Sequence, residues 1–92
     1  MMREDLQQEL DRFQEAALAF LRDPGVITGI EFDGRAGRLM QACARQIQDH
    51  RLVSRLFALQ KLIREVDVDG ARGLYEEVLV HMSVQGLKPR PS

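Results

Sequence analysis

The chain has 92 residues, 45% of them hydrophobic and 29% charged, with a formal net charge of −1. That describes one globular domain with a modest core, since a chain of this length buries roughly 60–65% of its unfolded surface and is too apolar to be disordered. Net charge near zero argues against general polyanion binding, which requires several phosphates to be neutralised. A single cysteine excludes an internal disulfide, and with two histidines it falls short of the usual four ligands of a structural zinc site. No apolar run approaches the roughly 20 residues of a membrane span, and the charged residues 1 to 10 lack the apolar core of a signal peptide. A soluble cytoplasmic protein is expected, and the preference for Arg over Lys, 11 to 2, suggests a GC-rich bacterial genome.

Glu4, Asp5 and Glu9 open the first helix, where carboxylates are favoured by the unpaired amides and the helix dipole. Leu6, Leu10, Phe13, Ala17 and Phe20 then step four, three, four, three along one face, a heptad-like seam. Asp23, Pro24 and Gly25 end it, because Pro lacks an amide donor and restricts the residue before it.

Residues 24 to 34 are the least helical part. Gly25, Gly29 and Gly34 favour turns, and Val26, Ile27, Thr28, Ile30 and Phe32 favour extended chain. The expectation is an extended connection draped over the helices, with Ile30 and Phe32 pointing inward and Asp33 capping the next helix.

Residues 35 to 66 carry two amphipathic patterns. Ala36, Met40, Cys43 and Ile47 line one face, opposite Arg38, Gln41, Arg45 and Gln48; Leu52, Leu56, Leu59, Ile63 and Val66 form the second. The five-residue step from Ile47 to Leu52 would put the two stripes on nearly opposite sides of one straight helix at about 100° per residue. A break near Gln48 and Asp49, with Asp49 capping a new helix, resolves the conflict better than one helix of about 30 residues. Cys43 falls on the apolar stripe and reads as a small buried hydrophobe.

Carboxylates cluster after residue 64. Measured against the calcium loop D-x-[DN]-x-[DN]-G-x5-E, Glu65 takes position one, Asp67 three, Asp69 five, Gly70 six and Glu76 twelve, and carboxylates are hard ligands for a hard cation. Glu at position one and Arg72 at position eight depart from that pattern. Leu62, Ile63, Arg64 and Glu65 with Tyr75, Glu76 and Glu77 resemble the last hand of calmodulin-like proteins, and that resemblance implies metal-binding roles for Glu65, Asp67, Asp69 and Glu76. The weightier reading of Asp67 and Asp69 is helix capping at a solvated turn. Ala71 and Tyr75 also look like the second helix of a tetratricopeptide or pentatricopeptide repeat, although only one unit is visible and such arrays need about three.

The last helix runs to about Gln85, with Leu74, Val78, Leu79 and Met82 on one side and Tyr75 adjacent; Val80 and Val84 widen the apolar surface beyond what one interface needs. Gly86 and Pro89 stop it. The expected fold is all-α, a small antiparallel bundle of three to four helices with one extended connection at about 24 to 34. Residues 1 to 86 would form a single domain and 87 to 92 a flexible tail.

Charge is distributed in blocks. Residues 1 to 34 hold three Arg and eight acids, 35 to 64 six Arg and one Lys against one acid, and 65 to 92 three basic residues and five acids. Internal pairing of these blocks is favoured over an Arg face of residues 35 to 55, centred on Arg38 and Arg45, that receives nucleic acid or an acidic partner. His50 and His81 have no ligand cluster around them, and no cofactor or catalytic residue is indicated. The expected function is a non-enzymatic interaction module, an adaptor, chaperone or regulatory subunit. It would bury Leu52, Leu56, Leu59, Ile63, Val80 or Val84 against another protein or a second copy as a homodimer. A calcium switch at 65 to 76 is the alternative from another class.

Overall fold

A computed structural model describes residues 2 to 91 and folds them into four helices: α1 Met2–Arg22, α2 Val26–Gln46, α3 His50–Arg64 and α4 Val68–Val84. Links at residues 23 to 25, 47 to 49 and 65 to 67 are too short for anything but antiparallel neighbours. Side-chain contacts agree: Phe13 meets Phe32, Gln60 and Arg64 reach Asp33, and Arg55 reaches Glu77 and His81. The all-α bundle expected from periodicity is therefore the fold, with no strand among the described residues.

The core is aromatic despite the low aromatic content. Phe13 and Phe20 from α1, Phe32 from α2 and Tyr75 from α4 stack with ring centroids 5.5 to 6.2 Å apart, a spacing at which such pairs add about 0.5–1.5 kcal/mol beyond their area. The whole α1 seam Leu6, Leu10, Phe13, Ala17 and Phe20 is buried, and so are Leu52, Leu56, Leu59 and Ile63 of α3. Those four α3 residues, expected at an interface, are thus part of the chain's own core. Cys43 is buried too.

The extended connection at 24 to 34 is overturned, because α2 starts at Val26. Gly29, Phe32, Ala36, Leu39 and Cys43 are buried on its inner face, and steps of three, four, three and four outweigh the β propensity of the residues between them. Phe32 points inward as expected. Ile30 points out, and Asp33 lies mid-helix instead of capping, its carbonyl accepting from Gln60 Nε2 at 3.1 Å. The break between α2 and α3 falls where the phase change put it, and Asp49 caps α3, its Oδ1 accepting from the amides of Arg51 and Leu52. Asp67 caps α4 through the Gly70 amide.

Helices α3 and α4 end in the same hydrogen-bond pattern. In α4 the Gly86 amide donates to Ser83 and the Leu87 amide to Met82, Gly86 taking the left-handed turn at φ 89° while Leu87 is buried. In α3 the equivalent donors are Val66 and Asp67, but the left-handed residue is Val66, at φ 55°. A β-branched residue is strained there.

Residues 87 to 90 do not form the free tail expected of them. The Gln7 amide group donates to the Lys88 carbonyl and accepts from its N–H, both at 3.0 Å, and Gln14 does the same at Arg90 at 3.2 and 2.8 Å. Arg90 also pairs with Asp11 and Glu15. The strap covers the side where α1 and α4 meet narrowly.

Two substitutions test this packing by urea denaturation. A Cβ at Gly29 would sit 3.6 Å from Phe20 and 3.9 Å from Ile63, ordinary contact, so Gly29→Ala should stabilise by about 0.5–1 kcal/mol. Val66→Gly should also stabilise, by about 0.5–1 kcal/mol once the looser unfolded chain is set against the relieved strain. A loss at either position would contradict the contact or the strain inferred there.

Candidate functional site

With the core complete, apolar side chains still stand on the surface of α4 and at one end of the bundle. Val80 and Val84 are 67% and 78% exposed on α4; Val26, Ile27 and Ile30 are 78%, 84% and 68% exposed at the start of α2, with Val66 nearby across a groove. Val80 and Val84 are thus the two expected interface residues that remain accessible. Phe57, the one aromatic residue outside the core cluster, is exposed on α3.

Beside Val80 and Val84, α3 and α4 leave an open groove of about 600 Å³ between Arg51, Arg55, Glu77 and Gln85, within the usual size range of binding clefts, roughly 300–1,000 Å³. Its floor is a polar chain that ties three elements together. Arg55 Nη1 lies 2.8 Å from His81 Nδ1, His81 Nε2 lies 2.7 Å from Asp49 Oδ2, and Gln85 Nε2 donates to that same oxygen at 3.0 Å. A guanidinium can only donate. Nδ1 of His81 therefore accepts, and Nε2 carries the proton given to Asp49. Glu77 stands 3.8 Å from the other side of Arg55.

The Asp49 carboxyl is held below the usual carboxylate range, chiefly by its hydrogen bond to His81; partial burial opposes this, and the Leu52 and Arg51 amides add to it. Burial, helped by the negative charge of Asp49, pushes the Cys43 thiol up to about 12, so this thiol is unreactive at neutral pH. An Asp–His pair is half of a familiar catalytic arrangement, but here the nitrogen that would act as base is occupied by Arg55, and Ser, Thr or Cys is absent from the groove lining. The network fastens helices.

The carboxylates aligned with a calcium loop do not form one. Glu65 is the C-terminal cap of α3, Asp67 is engaged in capping α4, Asp69 is exposed on the first turn of α4 beside Arg72, and Glu76 lies further along the same helix. Helical backbone from Val68 onward leaves no loop to wrap an ion. Arg38 and Arg45 are exposed two turns apart on α2, away from the groove. Neighbouring charges pair as Arg35–Glu31, Arg64–Asp33 and Arg55–Glu77. These surface pairs are worth only about 0–1 kcal/mol each. Among the described residues no helix is long and apolar enough to cross a membrane.

Sequence reasoning missed the Asp49–His81–Arg55–Gln85 chain. Its members lie up to 36 residues apart, and only the capping role of Asp49 had a local signal. No protein-family model, curated protein or solved structure matches the chain. On its fold it is a small four-helix protein.

A depressed carboxyl contributes stability above its ordinary value near 3.8 and loses it as pH falls through the lower folded value. Wild type should therefore lose stability below about pH 4 more steeply than Asp49→Asn, which keeps a capping oxygen but removes the charge. Urea midpoints measured against pH for both chains check this, and parallel curves would deny Asp49 the role.

Proposed function

We propose that this protein is a non-enzymatic interaction module that works by burying exposed apolar helix surface against another protein chain. One observation carries the reading: Val26, Ile27, Ile30, Val80 and Val84 stay more than two-thirds exposed or close to it after a complete aromatic and aliphatic core has formed. Isolated exposed apolar residues are ordinary on a soluble protein, whereas clusters of them mark contact sites. Fully burying one such side chain is worth about 1.5–3 kcal/mol, so two or three together can drive association. The charges around them, with Arg51, Arg55, Glu76 and Glu77 beside Val80, suit the polar rim of an interface.

Because these residues contribute little to the core, a charge placed on them tests association without unfolding the chain. Val80→Glu and Ile30→Glu should each keep the helical circular dichroism of wild type. At least one of them should lose a partner, read as a fall in mass by light scattering or as loss of a protein that co-purifies with the wild-type chain. The reading fails if both variants keep the wild-type mass and the same co-purifying proteins.

A further inference from the structure

Residues 87 to 91 run back along the crevice between α1 and α4, and every backbone donor they hold is in use. The Leu87 N–H goes to the Met82 carbonyl, that of Lys88 to Gln7 Oε1 and that of Arg90 to Gln14 Oε1, while Pro89 and Pro91 have none to give. The carbonyls of Lys88 and Arg90 accept from the same two amide groups. Alternate residues of an extended chain face the same way, so the two glutamines grip one edge of the strap and the prolines fall where no donor is wanted.

The cradle is fixed without help from the strap. A side-chain amide has two N–H donors. Gln14 Nε2 also donates to Tyr75 Oη at 3.4 Å, and Gln7 Nε2 to Asp11 Oδ1 at 3.1 Å, so groups of the folded helices set both amide planes and an incoming backbone meets them preorganised. The cation site belongs to α1 as well, since Asp11 and Glu15 both reach Arg90. The crevice is also longer than its occupant. One to two turns past Gln14 it continues as an open cleft of about 510 Å³ lined by Leu18, Leu21, Tyr75 and Leu79, with Arg22, Arg72 and Glu76 at its sides.

We propose that this crevice is a receptor for an extended, basic, proline-alternating segment of another protein, and that residues 88 to 90 are a tethered occupant which such a segment displaces. The cradle reads main chain and one cation, so nothing in it requires the occupant to belong to the same chain. A partner segment with the strap's pattern, followed by apolar side chains, makes every contact of the strap and adds contact with Leu18, Leu21 and Leu79 in the open half. That surplus offsets the advantage of an occupant already tied to the site. Arg22, Arg72 and Glu76 carry both signs and set no preference there. Release leaves the end of α4 intact, because Leu87 is bonded to Met82 and only the residues past it lift away. The crevice shares no apolar residue with the faces at Val80, Val84 and Ile30 and goes beyond the reading above.

The test is a fluorescein-labelled peptide that repeats residues 87 to 91 and ends in two added leucines, titrated with the full chain and followed by fluorescence anisotropy. Arg90→Pro removes both the N–H that Gln14 accepts and the cation held by Asp11 and Glu15, and so frees the crevice. The expected result is binding to Arg90→Pro roughly tenfold or more tighter than to wild type, whose strap competes at an effective concentration of about millimolar. Adding Gln7→Ala should weaken that binding by a similar factor. Equal binding to wild type and Arg90→Pro, equal binding of a peptide whose prolines are moved by one place, or no saturable binding to Arg90→Pro overturns the proposal. If Arg90→Pro loses its helical circular dichroism, Arg90→Glu, which sets a carboxylate against Asp11 and Glu15, takes its place under the same criteria. If that variant unfolds too, the strap is part of the fold and not a displaceable occupant, and the proposal falls. The Val80→Glu and Ile30→Glu variants leave this crevice untouched, so the module reading survives a failure here.

Discussion

The carboxylate of Asp49 is the constraint on which the arrangement of the last three helices depends. The inner stripe of α2 ends at Cys43 and that of α3 begins at Leu52, nine residues later. On one continuous helix, at about 100° per residue, the two would face opposite ways. Only a reversal of direction lets both enter the same core. Asp49 fixes the reversal from both sides: one oxygen accepts the first free amides of α3, and the other takes His81 and Gln85 from α4. Capping alone is worth about 0.5–2 kcal/mol; here it also fixes where α4 lies against α3.

The parts of the fold legible in the sequence are those in which a face is set by period. Leu6, Leu10, Phe13, Ala17 and Phe20, and likewise Leu52, Leu56, Leu59 and Ile63, are buried as their spacing requires. The first half of α2 was illegible because two signals compete there. Its glycines and β-branched residues oppose a helix locally, while Phe32, Ala36, Leu39 and Cys43 support one through contacts made only after α1 and α3 are in place. The strap was illegible for a different reason. Two glutamine side chains seven residues apart on α1 hold the backbone of Lys88 and Arg90, and nothing periodic announces a side-chain amide that stands in for a strand edge.

The candidate site was half legible. Val80 and Val84 stood out as apolar surface in excess of one interface, and they are the large apolar residues of α4 left exposed. The polar chain beneath them joins residues 26 to 36 positions apart, which local pattern cannot connect. The alternating charge blocks have a simpler resolution. Pairs run from α3 to α2, from α3 to α4 and from the strap to α1, so the basic middle of the chain lies among acidic neighbours. At about 0–1 kcal/mol each, such pairs select which helices sit together more than they hold them.

Three places where the sequence breaks local rules lie outside the core. Val26 and Ile27 open a helix although they favour strands, Val66 takes a left-handed turn that glycine fills at the end of α4, and Gly73 weakens an exposed helix. Inward positions on the same helices keep to their period, although Gly29 on the inner face of α2 carries the same helix cost. A chain selected for folding alone would relieve these costs first, because each is about 0.5–2 kcal/mol and none is needed to fill the interior. These three departures lie on the outer faces of α2 and α4 and at the turn beside Ile30. Folding thus leaves two apolar faces exposed, one at the start of α2 and one on α4.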